Sequence, residues 1–460
     1  MAVGPTSPLT HDSRIIVVGG AGTIGSSTAL HLCRRGYKNV LILDVYGFPS
    51  DRAVYGPSQS AGGSDLNKII GSSNSGTRAE ITDMTMDMWR NDPVFSEHYH
   101  EVGELSAAGE PEHIASLRVS YEAKLKHPIK SKEVEWLGTR EEIVKRCPHL
   151  AKASIDGWQG IWNFKAGWGA ANDAVDSVGR ELKRFGVNMV FGQSGTFERP
   201  MIDPVSKRCV GVIAKDGSRY EADRVVMATG AWSPSLIDLK GQCVSKCWIV
   251  AHLELSAEEA ARYRSIPVVY NEEVGFCFEP RLIKDYEPGK DRWIIKLCDE
   301  FPGYTRFMES QPFGAERPVK VSVPRSHSAH PTDTVPDEGM KRLRRVVEVM
   351  LPEFAQREFV KSYMCWCTDT ADAEWLFCQH PDHPGLFLAT GDSGHSFVTL
   401  PSVGHQVCDL LEGTAPADRM RKWAWRPGQG DPNHTGRGGP DPLDLGDLEG
   451  WAHGDDERAE

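Results

Sequence analysis

The chain is predicted to adopt an α/β fold: a Rossmann-like nucleotide-binding domain assembled from discontinuous segments, with a second, β-rich domain between them. Three observations predict it. A strand, a glycine turn, a helix and a second strand follow one another from residue 14. Two further apolar strands, near residues 224 and 386, each run into a glycine-containing turn. The length, 460 residues, is too great for one small core and suits roughly two or three domains.

The first unit is the most specific. RIIVVGG, residues 14–20, is a short run rich in β-branched residues and reads as a buried parallel strand. Gly20, Gly22 and Gly25 follow in G-x-G-x-x-G spacing. Gly20 suits a tight turn, Gly22 a close approach of pyrophosphate to the backbone, and Gly25 close packing of helix on strand. Residues 26–35 are predicted helical, with Ala29, Leu30 and Cys33 on one face, and Gly36 ends the helix. A helix N-terminus there presents free N–H groups and the positive end of the helix dipole to phosphate. NVLILD, residues 39–44, is a second strand that closes on Asp44. A carboxylate at that place accepts hydrogen bonds from a ribose hydroxyl and favours FAD or NAD over NADP.

Only one such fingerprint occurs. RYEADRVVMATG (219–230) ends a later strand at Gly230, after a hairpin-like stretch with turn residues Asp216 and Gly217. GLFLATGDSGHSF (385–397) is again a strand running into a turn, which contains Asp392 and Gly394. An NAD domain is usually contiguous, whereas strands this far apart suit a domain wrapped around one large cofactor, and so FAD.

Composition narrows the function. The net charge is −12, which argues against nucleic acid or an anionic membrane as the main partner. No apolar run approaches the roughly 20 residues of a membrane span. MAVGPTSPLTHDS has no apolar core and the terminal ERAE is no peroxisomal address, so a cytoplasmic location is expected. The eleven cysteines are then reduced thiols, most of them small buried groups. Cys365 and Cys367, in C-W-C, are the pair close enough to share a role. Two such ligands make no zinc site, and no metal is expected. From pattern alone they read as two buried core thiols.

Several stretches resemble the flavin amine oxidases of the D-amino-acid oxidase superfamily, above all the fungal fructosyl amino acid oxidases (amadoriases) and the monomeric sarcosine oxidases. They are SAGGSDLNKI (60–69), MWRNDPVF (88–95), IIKLCDEFPGYTR (294–306), MCWCTDTADAEWL (364–376), ATGDSGHSF (389–397) and WRPGQGD (425–431). The resemblance implies a fold of the D-amino-acid oxidase/glutathione-reductase type. It implies an FAD-dependent oxidase that takes a secondary amine or N-substituted amino acid to an imine and reduces O2 to H2O2. The expected partners are a small-molecule amine and O2, and the expected state is a monomer.

The same resemblance assigns residues. Cys365 matches the cysteine that holds the flavin covalently through its 8α-methyl carbon, with Cys367 structural. Ser60, Lys68, Gly230, Asp392 and Gly394 join Gly20, Gly22, Gly25 and Asp44 on the cofactor. In WIIKLC (293–298) strand alternation puts Ile294, Lys296 and Cys298 on one face. A lysine there is seldom buried without a task, and the resemblance sets Lys296 over the flavin to promote reaction with oxygen, with Lys68 a second basic residue nearby. Glu300 and Arg426 match the pair that binds the amino acid part of the substrate. Two departures bear on the substrate. Val398 stands where the relatives carry a lysine after G-H-x-F, and IGSSNSGTR (70–78) differs from the arginine-containing segment expected there.

The expected domains are a flavin domain from 10–85, 160–240 and 360–426, a substrate domain from 86–159 and 241–359, and a Gly/Pro/Asp-rich tail, 427–460, ordered in part. The competing functions are a fructosyl amino acid oxidase acting in deglycation, a flavin monooxygenase, an NAD dehydrogenase and a non-catalytic flavin-binding protein.

Overall fold

The computed structural model describes residues 8–50, 58, 61–71, 77–434 and 437–451. A six-stranded sheet places 14–18 at its centre, between 224–227 and 39–43, with 386–390 and 376–379 outward on one side and 188–190 on the other. All its pairings are parallel except that of 376–379 with 386–390. Alternate residues of the first strand feed two different cores. Ile15 and Val17 pack with the helix Thr23–Arg34 and with Val403–Glu412, while Ile16 and Val18 pack against the opposite layer. Burial on both faces explains why the strand reads as a continuous apolar run rather than an alternating one.

The glycine turn is sterically enforced. A Cβ on Gly25 would lie 2.2 Å from the Gly19 carbonyl oxygen, and one on Gly20 would lie 2.5 Å from the Ile42 side chain. The helix starts at Thr23, three residues before the predicted start, with Gly22 as its N-cap. Gly25 is therefore inside the first turn, where contact with the strand outweighs its poor helix propensity.

The second sheet has eleven strands. Its path runs 443–444, 304–305, 243–255, 290–298, 275–277, 268–271, 104–108, 159–163, 134–137, while 359–370 pairs along 243–255 and 281–287 along 290–298. Two expected boundaries shift as a result. The strands Gln159–Asn163 and Phe359–Thr370, the latter carrying Cys365, are hydrogen-bonded into this sheet and not the parallel one. The long ladder from Cys243 to Leu253 captures the 359–370 segment, a long-range pairing that its local sequence does not announce. The tail is anchored on the same body: Leu443 and Asp444 pair with Tyr304 and Thr305, and Leu445 and Trp451 are buried. Among the described residues no helix is long and apolar enough to cross a membrane.

Gly25→Ala tests the turn. The backbone contact leaves no side chain to move aside, so the variant is expected to lose about 1–3 kcal/mol of stability and to hold less FAD after purification. Urea unfolding and the flavin absorbance of the purified protein measure the two effects.

Candidate active site

A cavity of about 1320 Å³ runs from the glycine turn to the second sheet. Ordinary small-ligand pockets occupy roughly 300–1,000 Å³, so there is room for a long cofactor together with a substrate. At one end the cavity is lined by Gly19, Gly22, Thr23 and Ile24, with Asp44, Thr196 and Lys215 beyond them. The helix N-terminus carries no side-chain cap and no acidic residue in its first turn, which leaves its N–H groups to a phosphate. The Asp44 carboxylate accepts from the Ala21 N–H at 2.9 Å and the Tyr46 N–H at 3.3 Å, and burial pushes its pKa up to about 6 against those bonds. Gly62 and Gly230 also line the cavity, and a Cβ on either would meet nothing within 4 Å. These features fit an extended dinucleotide such as FAD, with its pyrophosphate on the turn and a ribose on Asp44.

The other end is built around Asp65, which is 1% exposed. Lys296 Nζ donates to Asp65 Oδ2 at 2.6 Å and to the Asn67 carbonyl at 2.9 Å. Lys68 Nζ lies 2.9 Å from the same Oδ2. The other carboxylate oxygen accepts from the Tyr363 hydroxyl at 3.0 Å and the Leu66 N–H at 2.8 Å. Burial alone would raise the Asp65 pKa, but Lys296 and Lys68 hold it well below the usual carboxylate range. Burial likewise works against the Lys68 ammonium, and Asp65 more than offsets it, so its pKa lies above the ordinary lysine value. Two ammoniums share one carboxylate, which leaves an excess positive charge at this wall. Lys68 lines the cavity together with Cys365, whose Sγ is 3.7 Å from Lys68 Nζ. Burial pushes the Cys365 thiol up while Lys68 pulls it down.

Lys296 is not itself part of the wall. It is fully buried, with its ammonium 4.9 Å from the centre of the Phe278 ring. Cys298, two residues on and on the same strand face, reaches the cavity. Lys68 and Phe276 line the cavity and Asp65, Phe278 and Lys296 do not, so Lys68 is the ammonium that faces the cavity and Lys296 stands behind it.

Glu300, in the loop after that strand, lines the cavity and accepts from the Tyr270 hydroxyl at 3.1 Å. Burial pushes its pKa up to about 7, with Arg437 pulling it down. Arg437 also lines the cavity. Its guanidinium sits 4.1 Å over the Trp248 ring, donates to Cys367 Sγ at 2.9 Å and pairs with the buried Asp369. A Cβ on Gly394 would lie 2.4 Å from Arg437 Nη1, so glycine at 394 admits this guanidinium.

Arg426 is elsewhere. Its guanidinium is bonded to Asp372 at 2.9 and 3.1 Å and to the carbonyls of Glu374, Trp375 and Ala424, and it does not line the cavity. It clamps the turn after the Cys365 strand, and Arg437, eleven residues later, is the arginine beside Glu300. The sequence reading missed Arg437 because a lone arginine in a Gly/Pro-rich tail carries no local signal. Asp65 lies inside SAGGSDLNKI, and only its burial singles it out. Val398 lines the cavity, and its carbonyl accepts from Trp89 Nε1 at 2.7 Å. The Asp392 carboxylate caps its own turn, accepting from the Gly394 N–H at 3.1 Å and the Ser396 N–H at 2.9 Å. Ser60 and residues 72–76 of the divergent segment lie outside the described residues.

Asp65→Asn removes the one anion between two buried ammoniums and is expected to cost about 3–5 kcal/mol. Without Asp65, burial is left to pull the Lys68 pKa below its unfolded value, so the unfolded chain binds more protons and the loss shrinks as pH rises. In the wild type the depressed Asp65 pKa contributes stability that is full above its ordinary 3.8 and lost as pH falls further. Urea midpoints for both proteins at pH 6 and pH 9 check the sign.

Residues 14–410 match the family described as DAO, FAD dependent oxidoreductase. A fructosyl peptide oxidase from E. terrenum superposes with a TM-score of 0.90 at 44% identity, over 97% of this chain and 99% of that one. Amadoriase II, a deglycating fructosamine oxidase from Aspergillus fumigatus, superposes with a TM-score of 0.80 at 32% identity, over 97% and 98%. The L-saccharopine oxidase of Schizosaccharomyces pombe is 30% identical over 433 residues, 90% of this chain and 93% of that protein. With a glycine turn, an acid and a cavity that fit the cofactor, the chain belongs to the DAO family of FAD-dependent oxidoreductases.

Proposed function

We propose that this enzyme oxidises a secondary amine or N-substituted amino acid at a carbon next to nitrogen, giving an imine while O2 is reduced to H2O2. The observation that supports it most is the placing of two charge clusters at one end of a cavity sized for FAD. Glu300 and Arg437 stand on one side, and the Lys68–Asp65–Lys296 network on the other. FAD, when bound, supplies the two-electron acceptor.

The chain's own residues orient and polarise. Arg437, steadied by Asp369 and the Trp248 face, offers N–H donors to a substrate carboxylate. Glu300, protonated at low pH and charged above about 7, accepts from a substrate hydroxyl or ammonium on the alkaline side. The walls of Tyr270, Phe276 and Trp248 keep water from the reacting carbon. The Lys68 ammonium, held charged by Asp65, stabilises negative charge that develops on oxygen during its reduction, and Lys296 raises the local potential from behind. Cys365 is the covalent tether in this reading, the adjacent Lys68 ammonium offsetting part of the burial that disfavours its thiolate, and Cys367 seats Arg437.

Fructosyl amino acid oxidation is the second reading, favoured by the 44% identity to a fructosyl peptide oxidase. Val398 weighs against it. Valine has no donor where the relatives are expected to carry a lysine, and losing one charge-assisted hydrogen bond costs about 1.5–3 kcal/mol, roughly tenfold to more than a hundredfold in affinity.

An oxygen-electrode screen of N-alkyl and fructosyl amino acids decides between these readings. Weak turnover of fructosyl-valine and sarcosine and better turnover of a bulkier N-substituted amino acid are expected, and Val398→Lys should raise activity on the fructosyl and sarcosine-type substrates. Efficient wild-type oxidation of fructosyl-valine, or an unchanged ranking in the variant, would overturn the role of Val398. Acid-precipitated protein should stay yellow, and a peptide spanning Cys365 should carry the flavin mass. Free FAD in the supernatant with an unmodified peptide refutes the tether.

A further inference from the structure

The cavity has a second charged end that the chemistry above does not use. Its floor is one face of the second sheet. In register across the strands lie Ile161, Ser106, Tyr270, Phe276 and Cys298, and in the next row Asn163 and Glu104. All of these line the cavity. Tyr270 bonds Glu300, and the row of Glu104 lies two residues of strand, roughly 7 Å, from the Tyr270 row, on the side of Phe278 and Lys296 and away from Glu300. The helix Pro111–Leu125 packs over these strands, and Ser120 and Lys124, one turn apart, look down on them.

Lys124 is the feature to be explained. It is the buried residue of a helix otherwise turned to the surface, at 9% exposure. No carboxylate of a described residue comes within 4.0 Å of its ammonium. Glu104 is close enough to act on it through space without an ion pair, and among the described residues its carboxylate accepts from Ser106 Oγ at 2.8 Å. Burial lowers the Lys124 pKa and raises that of Glu104. A cation and an anion thus face one space from opposite walls without meeting. An uncharged tail would desolvate both, and a simple carboxylate would leave Glu104 uncompensated. A group carrying both signs satisfies both walls.

We propose that this end of the cavity is a subsite for a free α-amino acid head group, with its carboxylate on Lys124 and its ammonium on Glu104, and with Ser106, Ser120 and Asn163 as further hydrogen-bonding partners. The proposal rests on oxidation taking place at the Cys365 end. The substrate is then a secondary amine joined by an alkyl spacer to an intact amino acid, such as an amino acid N-substituted on its side-chain nitrogen.

Calorimetry on the holoenzyme tests it with two thioethers that cannot be oxidised as amines. One is the analogue of Nε-(carboxymethyl)-L-lysine with sulfur in place of the secondary nitrogen. The other is pentylthioacetic acid, the same chain without the amino acid group. The first should bind at least tenfold more tightly to the wild type. That ratio should fall below threefold in Lys124→Met and in Glu104→Gln, with the affinity for pentylthioacetic acid nearly unchanged. The second variant keeps the test alive if the first does not fold. Equal binding of the two ligands by the wild type, an undiminished ratio in the variants, or binding of neither ligand by an enzyme that does oxidise secondary amines would each overturn the subsite. If no secondary amine is oxidised, the proposed function fails instead, and the binding ratio still decides the subsite.

Discussion

One buried carboxylate holds one end of the cavity together. Asp65 comes from the segment after the first βαβ unit, Lys296 from an inner strand of the second sheet, and Tyr363 from the strand that also carries Cys365. Three stretches of chain separated by more than 60 residues each therefore meet on two oxygen atoms. A single carboxylate between two ammoniums cannot neutralise both, and the surplus charge faces the cavity through Lys68. Lysine at 0% exposure is tolerable only because its ammonium donates to a carboxylate and to a carbonyl, and it would be expensive in an apolar core without them. The network is thus both the pin between these three segments and the source of the positive potential.

Opposite it, the Glu300 side of the cavity depends on a part of the chain with little structure of its own. Arg437 reaches the cavity because the tail is fixed on both flanks. Upstream, Lys246 Nζ donates to the Asn433 carbonyl at 2.8 Å. Downstream, Leu443 and Asp444 join the sheet edge at Tyr304 and Thr305, and Leu445 enters the core. Gly394 leaves space for the guanidinium, and Asp369 supplies its counter-charge. Arg426 serves the same end indirectly, by clamping the turn that follows the Cys365 strand to the start of the tail. Both arginines are needed to shape this wall, but only one faces it.

Four groups of charges line the cavity: a helix N-terminus with Asp44, Lys68 and its network with Cys365, Glu300 with Arg437, and Glu104 with Lys124 under the surface helix. Aromatic rings separate the last two clusters, with Tyr270 and Phe276 on the same sheet face.

Features set by local chemistry were legible in the amino-acid sequence. The glycine spacing, the apolar run before it and the terminal acid each follow from the sterics of one βαβ turn, and the structure shows the turn, the helix and Asp44 on the cavity. The lysine inside WIIKLC was legible as well, because strand alternation makes a buried charge conspicuous. What the sequence could not determine is everything that depends on distant segments meeting. The helix start moved to Thr23 because Gly25 packs on the Gly19 carbonyl. The Cys365 strand joined the second sheet because Cys243–Leu255 offers it a long antiparallel partner. Lys296 stands behind the wall because it pairs with the equally buried Asp65, and the arginine beside Glu300 is Arg437 because the tail folds back along the sheet edge. Hydrogen-bond register and ion pairing over such separations are not written in local periodicity; only the folded chain brings those atoms within reach of one another.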